Sequence, residues 1–194
     1  AAQRIGFPLV VKPSGGGGGM GMQVVAHMGD LETALAQAQA VADAAFANGG
    51  LYLERWIEKP RHIEYQILAD EHGNAMHLFE RECSVQRRHQ KLIEESPAPG
   101  IDTAVLREQA QRGADICAQL GYNNLGTMET LYSDGDSGFL EMNTRIQVEH
   151  GVTEEVTGID LVQQQILLSA GGSLPEQPPS MKGHAIEVRV YAED

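Results

Sequence analysis

The chain has 194 residues, 42% of them hydrophobic, and carries a net charge of −13 from 27 acids against 14 Lys and Arg. That is enough for one domain, or a domain with a small companion, around a real core, and it excludes a disordered segment. A balance this acidic also excludes nucleic acid as a default partner, because such binding rests on a basic surface.

No apolar run approaches the ~20 residues of a membrane helix, and no secretory signal is visible. Cys83 and Cys117 form neither a metal spacing nor a disulfide framework, as expected in a reducing compartment. The first residue is not Met and the sequence opens as if inside a domain, which predicts an excised fragment.

In chain order, Ile5–Lys12 predicts a buried strand opened by a turn at Gly6–Pro8, and Met20–Val25 a second strand. A helix follows over Asp30–Ala47, with Asp30 as its cap, one face marked by Leu31, Leu35, Ala38 and Ala42, and a stop at Asn48–Gly50. Leu51–Ile57 predicts a strand. Arg61–Ala69 and the segment from Ala75 form a hairpin across "DEHGN". A second helix spans Asp102–Leu120 and ends at Gly121. Strands at Thr127–Tyr132 and Phe139–Val148 flank "SDGDSG", a helix covers Asp160–Ala170, and a last strand runs over His184–Tyr191. The fold class is α+β, rich in antiparallel hairpins.

Two stretches carry chemistry. The first, Val10–Met22 "VVKPSGGGGGMGM", joins strand to strand, so it is neither a Walker A loop nor a dinucleotide fingerprint, both of which open a helix. A flexible tether has the same composition. Between apolar strands, though, a glycine hairpin tip can lay bare N–H groups against phosphate, with Lys12 as a point charge. The second stretch is "EMNTRIQVE". As a strand it sets Glu141, Asn143, Arg145, Gln147 and Glu149 in a row, ~6.7 Å apart, unless it is simply a solvated sheet face. Glu129 and Glu141 are equidistant from Gly135, so a hairpin in that register makes the two carboxylates cross-strand neighbours. A divalent cation such as Mg²⁺ relieves their repulsion, with Asn143 as a third oxygen. Between the two stretches lies a basic island, Arg81–Lys91 "RECSVQRRHQK", which reads either as a solvated charged segment or as a counter-surface for an anion.

These motifs, with "ERWIEKPRHIEYQILADEHGNA", "ERECSVQRRHQKLIEESPAPG", "EMNTRIQVEHGVTE" and "GHAIEVRVYAED", resemble biotin carboxylase essentially end to end, with an acyl-CoA carboxylase flavour. The resemblance implies an ATP-grasp fold, with residues 1–56 as its lid subdomain and 57–194 as part of the antiparallel-sheet core. It implies ATP-dependent carboxylation of biotin by bicarbonate through carboxyphosphate. Lys12 then contacts the ATP phosphates and Gly17, Gly18 and Gly19 close over them. Glu54, with the backbone of Arg55 and Ile57, holds adenine; His62 and Gln86 line the ribose side, with His89 nearby and Leu131 under the base. Glu129, Glu141 and Asn143 match ligands of Mg²⁺ (or Mn²⁺). Lys91, Arg145, Gln147, Val148, Glu149 and Arg189 match the bicarbonate and biotin site, with Glu149 as the base and Arg145 facing the biotin oxyanion.

The implied partners are a biotin carrier and a carboxyltransferase, in a homo-oligomeric parent that is cytoplasmic in a bacterium or in the mitochondrial matrix of a eukaryote. Met20, Pro13, Gly151 and Trp56 depart from the family's usual residues. The family's N-terminal domain and C-terminal remainder are missing, which predicts that the 194 residues alone are inactive. A carbamoyl-phosphate synthetase-like ligase and a non-catalytic nucleotide-binding or assembly module are the alternatives.

Overall fold

The computed structural model describes residues 1–15, 20–46, 49–88, 90–176 and 180–192. It divides into two compact units, Ala1–Glu58 and Lys59–Asp194, two residues beyond the boundary read from the sequence.

In the first unit, β1 (Leu9–Pro13) is the middle of a three-stranded antiparallel sheet, flanked by β2 (Gln23–Val25) and β3 (Leu51–Arg55). The expected strand start at Ile5 is corrected: Ile5 closes a short helix, α1 (Ala2–Ile5), and extended backbone begins at Leu9. A 3₁₀ turn at Met28–Asp30 leads into α2 (Leu31–Ala45). Asp30 does not cap that helix. It already has helical angles as the last residue of the turn, and its side chain makes no cap hydrogen bond. Ala34 and Ala38 face Leu9, Val11 and Val25, with Leu31, Leu35, Leu51 and Leu53 packed around them. Small alanines let the helix lie close on a sheet of branched residues. The helix ends at Phe46, whose backbone is extended.

The second unit is built on six antiparallel strands in the order β8-β7-β4-β5-β6-β9. These are β4 (Arg61–Ala69), β5 (Ala75–Arg87), β6 (Gln90–Ser96), β7 (Asn124–Ser133), β8 (Asp136–Asn143) and β9 (Ala185–Val188). Alternation along β4 places Ile63, Tyr65 and Ile67 on one face, where α3 (Thr103–Gln119) covers them with Leu106, Ala110, Ala114 and Cys117. Asp102 caps α3 by accepting from Ala104 N at 2.8 Å.

On the opposite face, Leu68, Leu78 and Leu125 pack under Leu161 and Leu168 of α5 (Leu161–Ser169), capped by Asp160. There too lies α4 (His150–Thr157), against β5, β6 and β9. Under α4 the β4 face is not apolar: it carries Glu64 and Gln66, both buried. Two elements of this unit were not legible in the sequence. One is β6, which begins at the end of the basic stretch and runs on past it. The other is α4, because β8 stops at Asn143 and does not run on to Val148.

Candidate active site

Glu64, Gln66, Thr127 and Glu129 project from the middle strands under α4, and β5 brings Arg81 among them. Arg81 is fully buried. Its five N–H groups all have acceptors: Nε donates to Glu64 Oε1 (2.6 Å), Nη1 to Gln66 Oε1 and Thr153 Oγ1 (both 2.8 Å), and Nη2 to Thr127 Oγ1 and Gln147 Oε1 (both 3.3 Å). Of the two readings of the basic stretch, the solvated one is thus corrected at its first residue. A guanidinium can be buried here because the fold supplies a carboxylate and a full set of oxygens.

Lys91, at the start of β6, points back into the same cluster. Its ammonium donates to Glu129 Oε1 (2.7 Å), Glu149 Oε1 (2.6 Å) and Glu64 Oε2. Arg189 takes the other oxygen of Glu149 through Nη2 (2.7 Å) and reaches Glu94 through Nε (3.0 Å). Gln147 Nε2 donates to Glu129 Oε1 at 2.8 Å. A closed ring therefore runs Arg81–Glu64–Lys91–Glu129–Gln147 and back to Arg81.

Burial by itself would raise the Glu149 carboxyl, but the Lys91 ammonium beside it outweighs that and holds it below the usual carboxylate range. Glu129 is brought down to about 2: burial opposes ionisation, and His62 and Lys91 overcome it. Glu94, by contrast, is raised by burial despite Arg189. Both oxygens of a buried, ionised Glu149 thus lie against cations. That arrangement suits a base beside an anion-binding surface, since a small anion that takes up the cations' charge frees the carboxylate for a proton.

Of the residues singled out in the sequence, Lys91, Glu129, Gln147, Glu149 and Arg189 come together here, though not by the expected route. Gln147 and Glu149 are buried, but in the turn at residues 144–149 that enters α4, with Glu149 at its N-cap. Arg145 is exposed on that turn, donating to Ile146 O (3.1 Å) and Asn143 Oδ1 (3.3 Å); Val148 is 62% exposed beside it. The straight row of five side chains is therefore corrected to two strand residues, Glu141 and Asn143, followed by a turn. A turn gathers Gln147 and Glu149 inward, where a strand would carry them some 13 Å and 20 Å from Asn143 at roughly 3.3 Å per residue.

Glu141 is the register partner of Glu129 and is exposed; Asn143 Nδ2 donates to Glu129 Oε1 at 3.0 Å. Two carboxylates and an amide are residue types that fit Mg²⁺, and an amide flip would be needed to turn the Asn143 oxygen, here accepting from Arg145, toward a cation beside Glu129. His62 stands with Nε2 at 3.1 Å from Glu129 Oε2 and Nδ1 at 3.2 Å from Gln86 Nε2, and Leu131 is its register partner on β7. In the first unit, Lys12 pairs with Glu54; Arg55 ends β3 and Ile57 follows it, half-buried. Gly17, Gly18, Gly19 and His89 lie outside the described residues.

Sequence reasoning missed Glu64, Gln66, Thr127, Thr153 and Glu94, and took Arg81 only as one charge of the basic island. One signal was available: "HIEYQIL" alternates polar and apolar residues in a strand whose two faces are both covered.

Comparison with known proteins gives the family of the chain and its structural neighbours. Residues 1–177 match the family model described as the carbamoyl-phosphate synthase L chain, ATP binding domain. The chain is 53% identical over 195 aligned residues to the biotin carboxylase of Haemophilus influenzae, covering 100% of itself and 44% of that protein. It superimposes with a TM-score of 0.92 and 46% identity on the crystal structure of a Campylobacter jejuni biotin carboxylase–beta-gamma-ATP complex, covering all of this chain and 44% of that one. With the biotin carboxylase domain of Hydrogenobacter thermophilus 2-oxoglutarate carboxylase, solved with MgADP, ADP and bicarbonate, the TM-score is 0.90 at 42% identity, covering all of this chain and 43% of that one. The chain thus spans less than half the length of these relatives, with their ATP-grasp α+β architecture. It belongs to the family of the carbamoyl-phosphate synthase L chain ATP-binding domain and, within it, is similar along its whole length to biotin carboxylases.

Proposed function

We propose that these residues are part of a biotin carboxylase, a ligase that uses ATP to carboxylate biotin with bicarbonate through carboxyphosphate. The observation that carries the reading is the Glu149 carboxylate divided between Lys91 and Arg189, with Lys91 also bound to Glu129. Bicarbonate is an anion that must be held and deprotonated. Lys91 and Arg189 supply the charge to hold it and Glu149 is the base, ionised at neutral pH because Lys91 outweighs its burial. Gln147 and Val148 border the same place, and the exposed Arg145 meets the biotin oxyanion.

Glu129, Glu141 and Asn143 are the residues that would hold Mg²⁺ or Mn²⁺, which when bound neutralises phosphate charge. Lys12, Gly17, Gly18 and Gly19 are assigned to the ATP phosphates, and Glu54 with the backbone of Arg55 and Ile57 to the adenine. His62, Gln86, His89 and Leu131 are assigned to the ribose and base. The whole protein then hands carboxybiotin to a carboxyltransferase by way of a biotin carrier, as a homo-oligomer in the bacterial cytoplasm or the mitochondrial matrix. Among the described residues, no helix is long and apolar enough to cross a membrane.

Single-turnover trapping of labelled bicarbonate tests this on the full-length protein. ATP-dependent label on free biotin is the expected result. Mg-ATP binding with no such label would instead select a nucleotide-binding module.

A further inference from the structure

We infer that Arg81 is a positioning residue for the bicarbonate side of the site: it sets Lys91 and Gln147 without touching substrate. This rests on the biotin carboxylase reading. Two paths lead from the guanidinium to the same carboxylate. Through Nε it holds Glu64 Oε1, and the other oxygen of Glu64 holds Lys91, which meets Glu129 and Glu149. Through Nη2 it reaches Gln147 Oε1, which leaves the amide's NH₂ facing Glu129. An amide between a guanidinium and a carboxylate has one orientation that satisfies both neighbours, so Arg81 decides which way Gln147 points.

The remaining donors reach Gln66, Thr127 and Thr153. Arg81 therefore ties β4 and β7 to both the 144–149 turn and α4, the segment whose N-cap is Glu149. Its own side chain is fully buried, whereas Lys91 and Arg189 keep 11% and 17% of theirs exposed and are the cations a solute can reach. Lysine cannot replace Arg81: it offers three donors instead of five, and no planar fork.

The test uses the full-length protein with R81K, and with T153V and T127V, which each remove one guanidinium partner outside the machinery assigned above. Bicarbonate-dependent ATP cleavage, the KM for ATP, the KM for bicarbonate and amide hydrogen exchange over 144–152 are measured. R81K is expected to lower kcat/KM for bicarbonate about 10²-fold, the scale of a misplaced catalytic group, while the KM for ATP moves less than about threefold. Exchange should rise in 144–152 and not across α3. Should R81K fail to fold, T153V and T127V carry the test, each lowering kcat/KM for bicarbonate when assayed well below its own melting transition.

Equal losses toward both substrates, or wild-type kinetics in folded R81K or in both threonine variants, would overturn the positioning role. The exchange measurement needs no turnover. If wild-type protein shows no bicarbonate-dependent cleavage, the biotin carboxylase reading fails, while confined exchange in 144–152 still reports whether Arg81 orders that turn.

Discussion

Glu129 and Glu141 face each other across β7 and β8, and one extra residue puts them there. The hairpin turns through Asp134 and Gly135, both at positive φ (50° and 90°), the angles of a two-residue type I′ turn. From it the ladder runs Ser133–Asp136, Tyr132–Ser137, Leu131–Gly138 and Thr130–Phe139; the next partner of Glu129 would be Leu140. A bulge passes over Leu140 and gives Glu129 to Glu141. Without it the second carboxylate would move to the other face.

Like charges so placed favour a shared cation. Glu141→Gln in the full-length protein is expected to lower Mg-ATP-dependent turnover by about 10²-fold, the scale of a lost electrostatic stabiliser. A magnesium titration of turnover checks it: unchanged activity at limiting metal would remove Glu141 from the site.

Glu149→Gln keeps the shape of the side chain and removes the base. It is expected to abolish biotin-dependent ATP cleavage and leave ATP affinity within about threefold, since the group acts on bicarbonate. Calorimetric titration with nucleotide separates the two effects. A matching loss of ATP affinity would make Glu149 a nucleotide ligand.

Asp70 is a structural counterpart, far from that chemistry in role. It accepts from Asn74 N (3.0 Å), Asn74 Nδ2 (3.0 Å), His72 N (3.0 Å) and Leu174 N (3.3 Å), pinning the β4–β5 turn to the segment after α5. Burial would raise this carboxyl, but the hydrogen bonds from Asn74, Leu174 and His72 outweigh it, and it lies below its ordinary value. A carboxyl depressed on folding adds stability above its unfolded pKa of ~3.9, lost as pH falls through the lower folded value. Asp70→Ala should cost about 2–3 kcal/mol at neutral pH. The gap between wild-type and variant melting temperatures should narrow as pH falls from 7 toward 3, and a constant gap would contradict the assignment.

Cys83 sits buried beside Arg81, and its thiol is raised well above the ordinary range, first by burial and then by the Glu64 carboxylate. Cys117 is likewise buried and raised. In native protein both should react with a thiol reagent at least about 10²-fold slower than in denaturant, because the thiolate is the nucleophile. Fast labelling of Cys83 in native protein would show that the site opens to solvent.

What could be read from residues alone was what neighbours in sequence decide. The β4–β5 hairpin and the helices that begin near Asp102 and Asp160 each depend on positions a few residues apart, whereas the Glu129–Glu141 pairing, read from symmetry about Gly135, is made by the bulge at Leu140. The row "EMNTRIQVE" was misread past Asn143 because alternation within so short a window looks the same whether the chain runs straight or turns. The helix that follows, "HGVTEEVT", has Gly and four β-branched residues, poor helix formers. It is helical because Val152, Thr153 and Val156 are buried against the sheet.

Arg81 is the clearest case of the tertiary contribution. Among nearby charges it looks solvated. Its acceptors lie 17, 15, 46, 66 and 72 residues away along the chain, on strands, a turn and a helix that only the fold assembles. Burying a guanidinium is favourable only once all of those oxygens are in place, so the residues named the groups of the site and the packing of α4 on the sheet decided which charges are buried together.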